Sequence, residues 1–260
     1  MGGSVPNHSE HQEGTDAMGL AVDVPWELLL IVALVASIMA DRQAWQKHPV
    51  LTASAGFLFF AGMYPGLDAI ARHSVWLHSL QSLMIHHLGP LLMLFAGINP
   101  CRVMPGSGRV FGSTPATILV LFSFTGMTLL WLSPDLHVTL MESAGLYSLM
   151  KWGMALSGIL LCNVVAGQNN AVSRDILRGV AFNIAIAAPQ TAAGIYLMTS
   201  PPLYPMPGCI TPPVNWLPLL DAVPDQRLGG GLLIVASGIF FFGDLMGRLR
   251  TAPEALATPT

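Results

Sequence analysis

Long apolar runs separated by short polar breaks dominate the chain. Seven runs can be marked off, roughly residues 25–40, 50–67, 75–98, 114–132, 145–166, 177–199 and 228–247. They are continuous rather than alternating, so they read as helices and not as strands of an outer-membrane barrel. Most approach the roughly 20 apolar residues that cross a bilayer. The first two are shorter and are expected to tilt little or to extend into their flanks. The breaks are rich in Pro, Gly and Asn, as loops are. The expected fold is all-α: a polytopic bundle of seven transmembrane helices with the lipid bilayer as its solvent.

Composition narrows the classes further. Of 260 residues, 11 are basic and 14 acidic, so charged residues are 10% against 53% hydrophobic. A soluble domain carries about 25% charged residues, and a globule of this size could not cover itself with fewer than half of that. A net charge of −3 leaves no basic patch to release phosphate counterions, which excludes a nucleic-acid partner.

The basic residues set the expected orientation. Arg42 and Lys47, Arg102 and Arg109, Arg174 and Arg178, and Arg248 and Arg250 fall in alternate loops and the last tail. Basic residues stay in the cytoplasm, so the N-terminus is expected outside and the C-terminus inside. Residues 1–22 read as a disordered external tail, 23–249 as the transmembrane domain and 250–260 as a cytoplasmic tail. The first segment lacks the basic start and apolar core of a secretory signal. Pro6 also stands where a myristoylation site needs Ser or Thr. Its His8 and His11 could hold a metal loosely, but solvated polar residues are the plainer reading. Cys101, Cys162 and Cys209 fall inside, within a span and outside respectively, so no disulfide framework is expected.

The third span carries the chemistry. Four of the eight histidines lie here: His73, His78, His86 and His87. At helical rise the last two sit about 20 Å deeper than the first. With His73 at the origin, the helical period places His78 at about 140°, His86 at about 220° and His87 at about 320°. An ionisable group in a membrane must face the bundle interior and find a partner, so it is a functional candidate. Imidazole also suits copper, zinc and iron. The plain alternative is that each ring bonds a neighbouring carbonyl or hydroxyl. On the same expected side lie Asp68 and Arg72, then Asp135, His137, Met141 and Glu142, then Met206, Cys209, Asp221 and Asp225. Thioether and thiolate beside imidazole select Cu(I), while carboxylate with imidazole suits Cu(II) or zinc. Lys151, inside the fifth span, is expected to snorkel outward or to pair with an acid such as Glu142 or Asp225. Asn163, Asn183 and Gln190 read as inter-helix hydrogen-bonding groups, and Pro189 as a kink in the sixth span.

Other seven-helix readings meet specific obstacles. The last span has no lysine for a retinal Schiff base. His73 and His87 supply one half of a di-haem frame, but no other span carries a histidine, since His48 and His137 are in breaks. A single His/Met haem in a membrane oxidoreductase stays open as an alternative. So does a metal-ion transporter, although no internal repeat is evident.

Two segments carry a family resemblance. The run from His78 to His87 leads into Pro90-Leu91-Leu92, and Asp225-Gln226-Arg227-Leu228-Gly229-Gly230 opens the last helix. Over roughly residues 24–249 the chain resembles the CtaG-type cytochrome c oxidase assembly factors, seven-span bacterial membrane proteins. It departs from them in having Ser82 where the family commonly places the second histidine of a His-Met-x-x-His motif, and in lacking a Trp after the Asp-Gln pair. The resemblance implies a non-enzymatic copper-handling factor. It would serve haem-copper oxidase subunits from the periplasmic side, with a periplasmic copper chaperone as a further partner. A copper-ligand role for the family's second histidine would fall to His86 or His87, or be absent. The expected metal set is therefore His73, His78, His86, His87 and His137, with Asp68 and Asp225 supplying charge and Met206 or Cys209 helping to capture Cu(I). Gly243-xxx-Gly247 suits close helix contacts, and association between copies of the chain stays open.

Overall fold

The computed structural model describes residues 16–98, 114–171, 176–204 and 220–257, and all regular structure among them is helical. The elements in order are α1 (Asp16–Met39), α2 (Arg42–Lys47), α3 (Pro49–Met63), α4 (Pro65–Ala71) and α5 (Val75–Ser82). A π-helical turn (Leu83–Leu88) joins α5 to α6 (Gly89–Ala96). Then come α7 (Thr114–Leu132), α8 (Pro134–Glu142), α9 (Ala144–Ala171), α10 (Ile176–Thr199) and α11 (Ala222–Ala257). Helix α1 thus begins within the stretch expected as a tail, and α11 runs past residue 249. His8, His11, Cys101, Arg102, Arg109, Arg174, Met206 and Cys209 lie outside the described residues.

Seven full-length spans are not what the described residues show. Five stretches are long and apolar enough to cross a membrane: Val75–Ala96, Pro115–Leu132, Ala144–Val165, Val180–Thr199 and Ala222–Gly243. A sixth appears if α3 and α4, bent by 56°, count as one. The apolar part of α1, Trp26–Met39, is shorter. The bend has a local cause. Proline disfavours helical geometry in the residue before it, and Tyr64, before Pro65, sits at φ −63° and ψ 122°. Ser133 before Pro134 is likewise extended, at ψ 120°, and ends α7. Pro189 lies inside α10, which continues through it.

Burial identifies the centre of the bundle. The Val75–Ala96 and Ala144–Val165 windows are each 67% buried, against 22% for Pro115–Leu132 and 28% for Val180–Thr199. The histidine-bearing helix is therefore a central one, packed between α3, α9 and α11. Phe59, Met63, Ile85, Trp131, Tyr147 and Met154 fill one side of the core, and Phe124, Leu161 and Ile186 a second. Apolar side chains such as Phe57, Phe122 and Leu149 remain on the outside, where lipid costs them nothing.

Small residues set two helix approaches. Gly194 on α10 and Gly230 on α11 face each other so closely that a Cβ on either would lie 2.6 Å from the other's carbonyl oxygen. A Cβ at Gly229 would meet Val75 at 2.8 Å, so α11 can lie against the start of α5. Backbone contact of this kind is how helices associate without a hydrophobic driving force.

Candidate functional site

The site residues fall in layers along α5, the π turn and the helices around them. At the end of the bundle where α4, α8 and the starts of α5 and α11 meet, an open cavity of about 80 Å³ is lined by Arg72, His73, His137, Met141, Tyr204 and Asp225. Three of the expected metal residues, His73, His137 and Asp225, are thus brought together. Glu142 lies on the exposed rim. Asp225 has both oxygens engaged: Ser74 Oγ donates to Oδ1 at 2.5 Å and the Val75 backbone N–H to Oδ2 at 2.7 Å. It closes the amino terminus of α5, where backbone donors lack helical partners. The next residue, Gln226, donates to the Leu197 carbonyl and accepts from the Leu203 N–H, each at 2.8 Å, which ties α11 to the end of α10. The Asp-Gln pair is therefore a clamp on the helix that carries the histidines.

His137 lies on a short helix, not in an irregular loop, and is only 7% exposed. Its Nδ1 donates to the Trp131 carbonyl at 3.0 Å. Burial pushes its pKa down to about 4, so at neutral pH the ring is uncharged and Nε2 is the lone-pair nitrogen. Burial, then the Arg72 charge, also lowers the pKa of His73. Burial raises that of Tyr204, whose hydroxyl donates to the Leu132 carbonyl at 3.0 Å.

One layer deeper, His78 is 2% exposed and stacks on Trp131 with ring centroids 4.0 Å apart. His137 lies against the same indole at 5.7 Å. The Tyr147 hydroxyl gives its proton to Gln81 Oε1 and accepts from His78 Nδ1 at 2.8 Å. His78 Nε2 is buried and finds no partner among the described residues.

Deeper still, the π turn carries His86 and His87, 0% and 1% exposed. A π turn has a wider period than an α-helix and recurs at functional sites. Here Gly89 N–H bonds Met84 O, five residues back. Pro90, four residues after His86, cannot donate to the His86 carbonyl, so the wider turn forms where the α pattern must fail. Both histidines therefore face inward, with ring centroids 4.8 Å apart and Phe124 against each. Ser157 Oγ lies 3.0 Å from the Met154 carbonyl and 3.1 Å from His86 Nε2, and bonds both groups. His86 Nδ1 is left buried with no partner among the described residues. His87 Nε2 lies 2.9 Å from Gln190 Oε1, and its Nδ1 turns toward the Ser82 carbonyl without forming a hydrogen bond of acceptable geometry.

Asp68 is engaged elsewhere. Lys151 Nζ, 2% exposed, lies 2.5 Å from Asp68 Oδ2, 2.9 Å from Glu27 Oε1 and 2.9 Å from the Met63 carbonyl. The lysine neither snorkels nor pairs with Glu142 or Asp225, because the break after α3 brings acceptors into its reach. Glu27, Gln81, Tyr147 and Ser157 were not singled out from the sequence. Each is an uncharged or acidic polar residue inside or beside an apolar run, which is the signal that marks them. Asn163 bonds back to Ile159 in its own helix at 2.9 Å, so it is not an inter-helix tie through that bond.

Among the described residues no three His, Cys, Asp or Glu side chains converge on one point where an ion could sit. What the layers do share is a chemical pattern. Each buried imidazole has one nitrogen held by a defined neighbour, as metal-ligating histidines do.

No curated protein and no solved structure matches the chain significantly. The family model for the cytochrome c oxidase caa3 assembly factor (Caa3_CtaG) matches residues 29–245, a stretch that holds the histidine helix, Lys151 with Asp68, and the Asp225-Gln226 clamp. The chain belongs to the cytochrome c oxidase caa3 assembly factor family.

Proposed function

We propose that this assembly factor handles copper as cargo, without catalytic turnover, for a haem-copper oxidase. The observation that carries the reading is the pair of unpartnered ring nitrogens, His78 Nε2 and His86 Nδ1. In each ring the other nitrogen is hydrogen-bonded to a hydroxyl, Tyr147 for His78 and Ser157 for His86. A buried acceptor left open costs free energy, and such groups call for an explanation. A soft cation that visits the site is one.

Neutral, aromatic-lined donors favour Cu(I) over Cu(II). The cost of burying an ion grows with the square of its charge, and only nearby anions offset it. Asp68 and Asp225 have their carboxylates engaged, and Glu142 sits on the exposed rim. In this reading His73 and His137, with Met141 beside them, receive the ion at the cavity. His78 and then the His86–His87 pair bind it deeper. With α1 as a shorter first pass, the chain crosses seven times. The cavity end and N-terminus face the periplasm, and Arg42, Lys47, Arg248 and Arg250 lie in the cytoplasm. Oxidase subunits and a periplasmic copper donor are the partners this placement fits.

The test is metal analysis of the full-length protein in detergent after exposure to Cu(I), with an absorption spectrum alongside. Bound copper that is lost in the His78→Ala, His86→Ala double variant is the expected result. Unchanged copper in that variant, or a Soret band with no copper, overturns the reading.

A further inference from the structure

A single hydrogen-bonded chain runs from the buried ion pair to His78, and every donor along it has one possible direction. Lys151 offers three N–H protons, and Glu27 Oε1, Asp68 Oδ2 and the Met63 carbonyl take them. Asp68 Oδ2 accepts from the ammonium. Gln81 Nε2 lies 2.7 Å from the Gly62 carbonyl, which cannot donate, and 2.6 Å from Asp68 Oδ1. The amide nitrogen must therefore face them, and Gln81 Oε1 must face Tyr147. That oxygen accepts the Tyr147 proton, so the phenol can only accept from His78. The His78 proton is fixed on Nδ1 and the lone pair on Nε2.

We infer that Gln81 and Tyr147 are positioning residues that preset which nitrogen of His78 is free to bind a ligand, with Lys151 and Asp68 anchoring the far end of the chain. The origin of the chain is the broken second span. Stopping α3 at Tyr64 leaves the Gly62 and Met63 carbonyls without helical donors, and Gln81 and Lys151 supply them. Membrane proteins tolerate such a break where side chains satisfy the freed groups. Here the same side chains continue the chain to an imidazole, the arrangement by which outer partners fix a ligand's tautomer and orientation. The tautomer is a property of the protein without metal. Its use in holding copper rests on the function proposed above.

The test reads the two separately. In full-length protein labelled with 15N-histidine and reconstituted in nanodiscs without metal, His78, identified by its loss in His78→Gln, is expected to show a protonated Nδ1 and an unprotonated Nε2. Tyr147→Phe removes the one acceptor for Nδ1–H among the described residues and should move the proton to Nε2. Gln81→Met removes the acceptor of the Tyr147 proton, leaves the phenol free to donate to Nδ1 and should do the same, whereas Asp68→Asn leaves the Gly62 carbonyl holding the Gln81 amide and should retain the wild-type tautomer. Cu(I) affinity, measured by competition with a chromophoric chelator, should fall by about ten-fold or more in Tyr147→Phe and Gln81→Met. A wild-type His78 protonated on Nε2, or an unchanged tautomer in both variants, overturns the inference whatever copper does. The expected tautomers together with no Cu(I) binding by any form would sustain the positioning role and defeat the copper reading alone.

Discussion

Asp225, on the last helix, holds Ser74 at 2.5 Å across 151 residues of sequence, and the same carboxylate takes the Val75 N–H at 2.7 Å. Ser74 in turn accepts from Leu77 N at 3.4 Å as the N-cap of α5. The last helix thus fixes where the histidine helix starts. Asp225→Ala removes a cap and strands a buried hydroxyl and N–H, so a loss of about 2–4 kcal/mol is expected. Asp225→Asn keeps one acceptor oxygen and should lose less. Thermal unfolding in detergent checks the order, and an alanine variant as stable as wild type would remove the clamp from the account.

Lys151 makes a sharper case. Its ammonium is surrounded by Glu27, Asp68 and a carbonyl, with 2% of the side chain exposed. Removing one member of a buried ion pair strands the others and costs about 3–5 kcal/mol, whereas replacing all of them with apolar groups is often neutral. Lys151→Met should therefore lower the yield and unfolding temperature of the folded protein. The triple change Lys151→Met, Asp68→Leu, Glu27→Leu should recover most of the stability. A single variant that is already neutral would show the ions to be better solvated than their burial implies.

Acid should weaken the bundle through His137. Above pH 6.5 the ring is neutral whether folded or unfolded, and the group contributes no pH dependence. Between pH 6.5 and about 4 the unfolded chain binds a proton that the folded protein refuses, so stability falls as pH falls. The contribution is about 3 kcal/mol at most and is fully developed below pH 4. His137→Asn, whose amide nitrogen can stand in for Nδ1, should flatten unfolding temperature against pH over that window in metal-free protein. A slope equal to the wild type's would assign the acid sensitivity to another group.

Much of the site was legible as residue types and little of it as partnerships. The concentration of histidines on one span marked α5 and the π turn, and the orientation argument placed His73, His137 and Asp225 at one end, where they share a cavity. The Tyr64-Pro65 step also carried its own signal of a break, since the residue before a proline leaves the helical region. The helical period placed His86 and His87 about 100° apart, on the assumption of an unbroken α-helix. The π turn removes that assumption and buries both rings. Asp68 looked like a spare carboxylate near the histidines. Its neighbours Lys151 and Gln81 come from elements that the sequence spacing alone does not bring together.

The sequence by itself determined that the chain is helical and lies in lipid, because apolar runs of that length can satisfy their backbone only internally. It also determined that the third run is chemically unlike the others, because four imidazoles there cannot face hydrocarbon. Tertiary structure decided everything that depends on how each helix is rotated about its axis. That includes which carboxylate meets Lys151, which hydroxyl meets which ring, and so which nitrogen of His78 and of His86 is left open. Periodicity gives a helix its apolar and polar faces, but the partner of a polar atom is set by hydrogen-bond geometry within a few tenths of an ångström. That precision arises only when the helices pack.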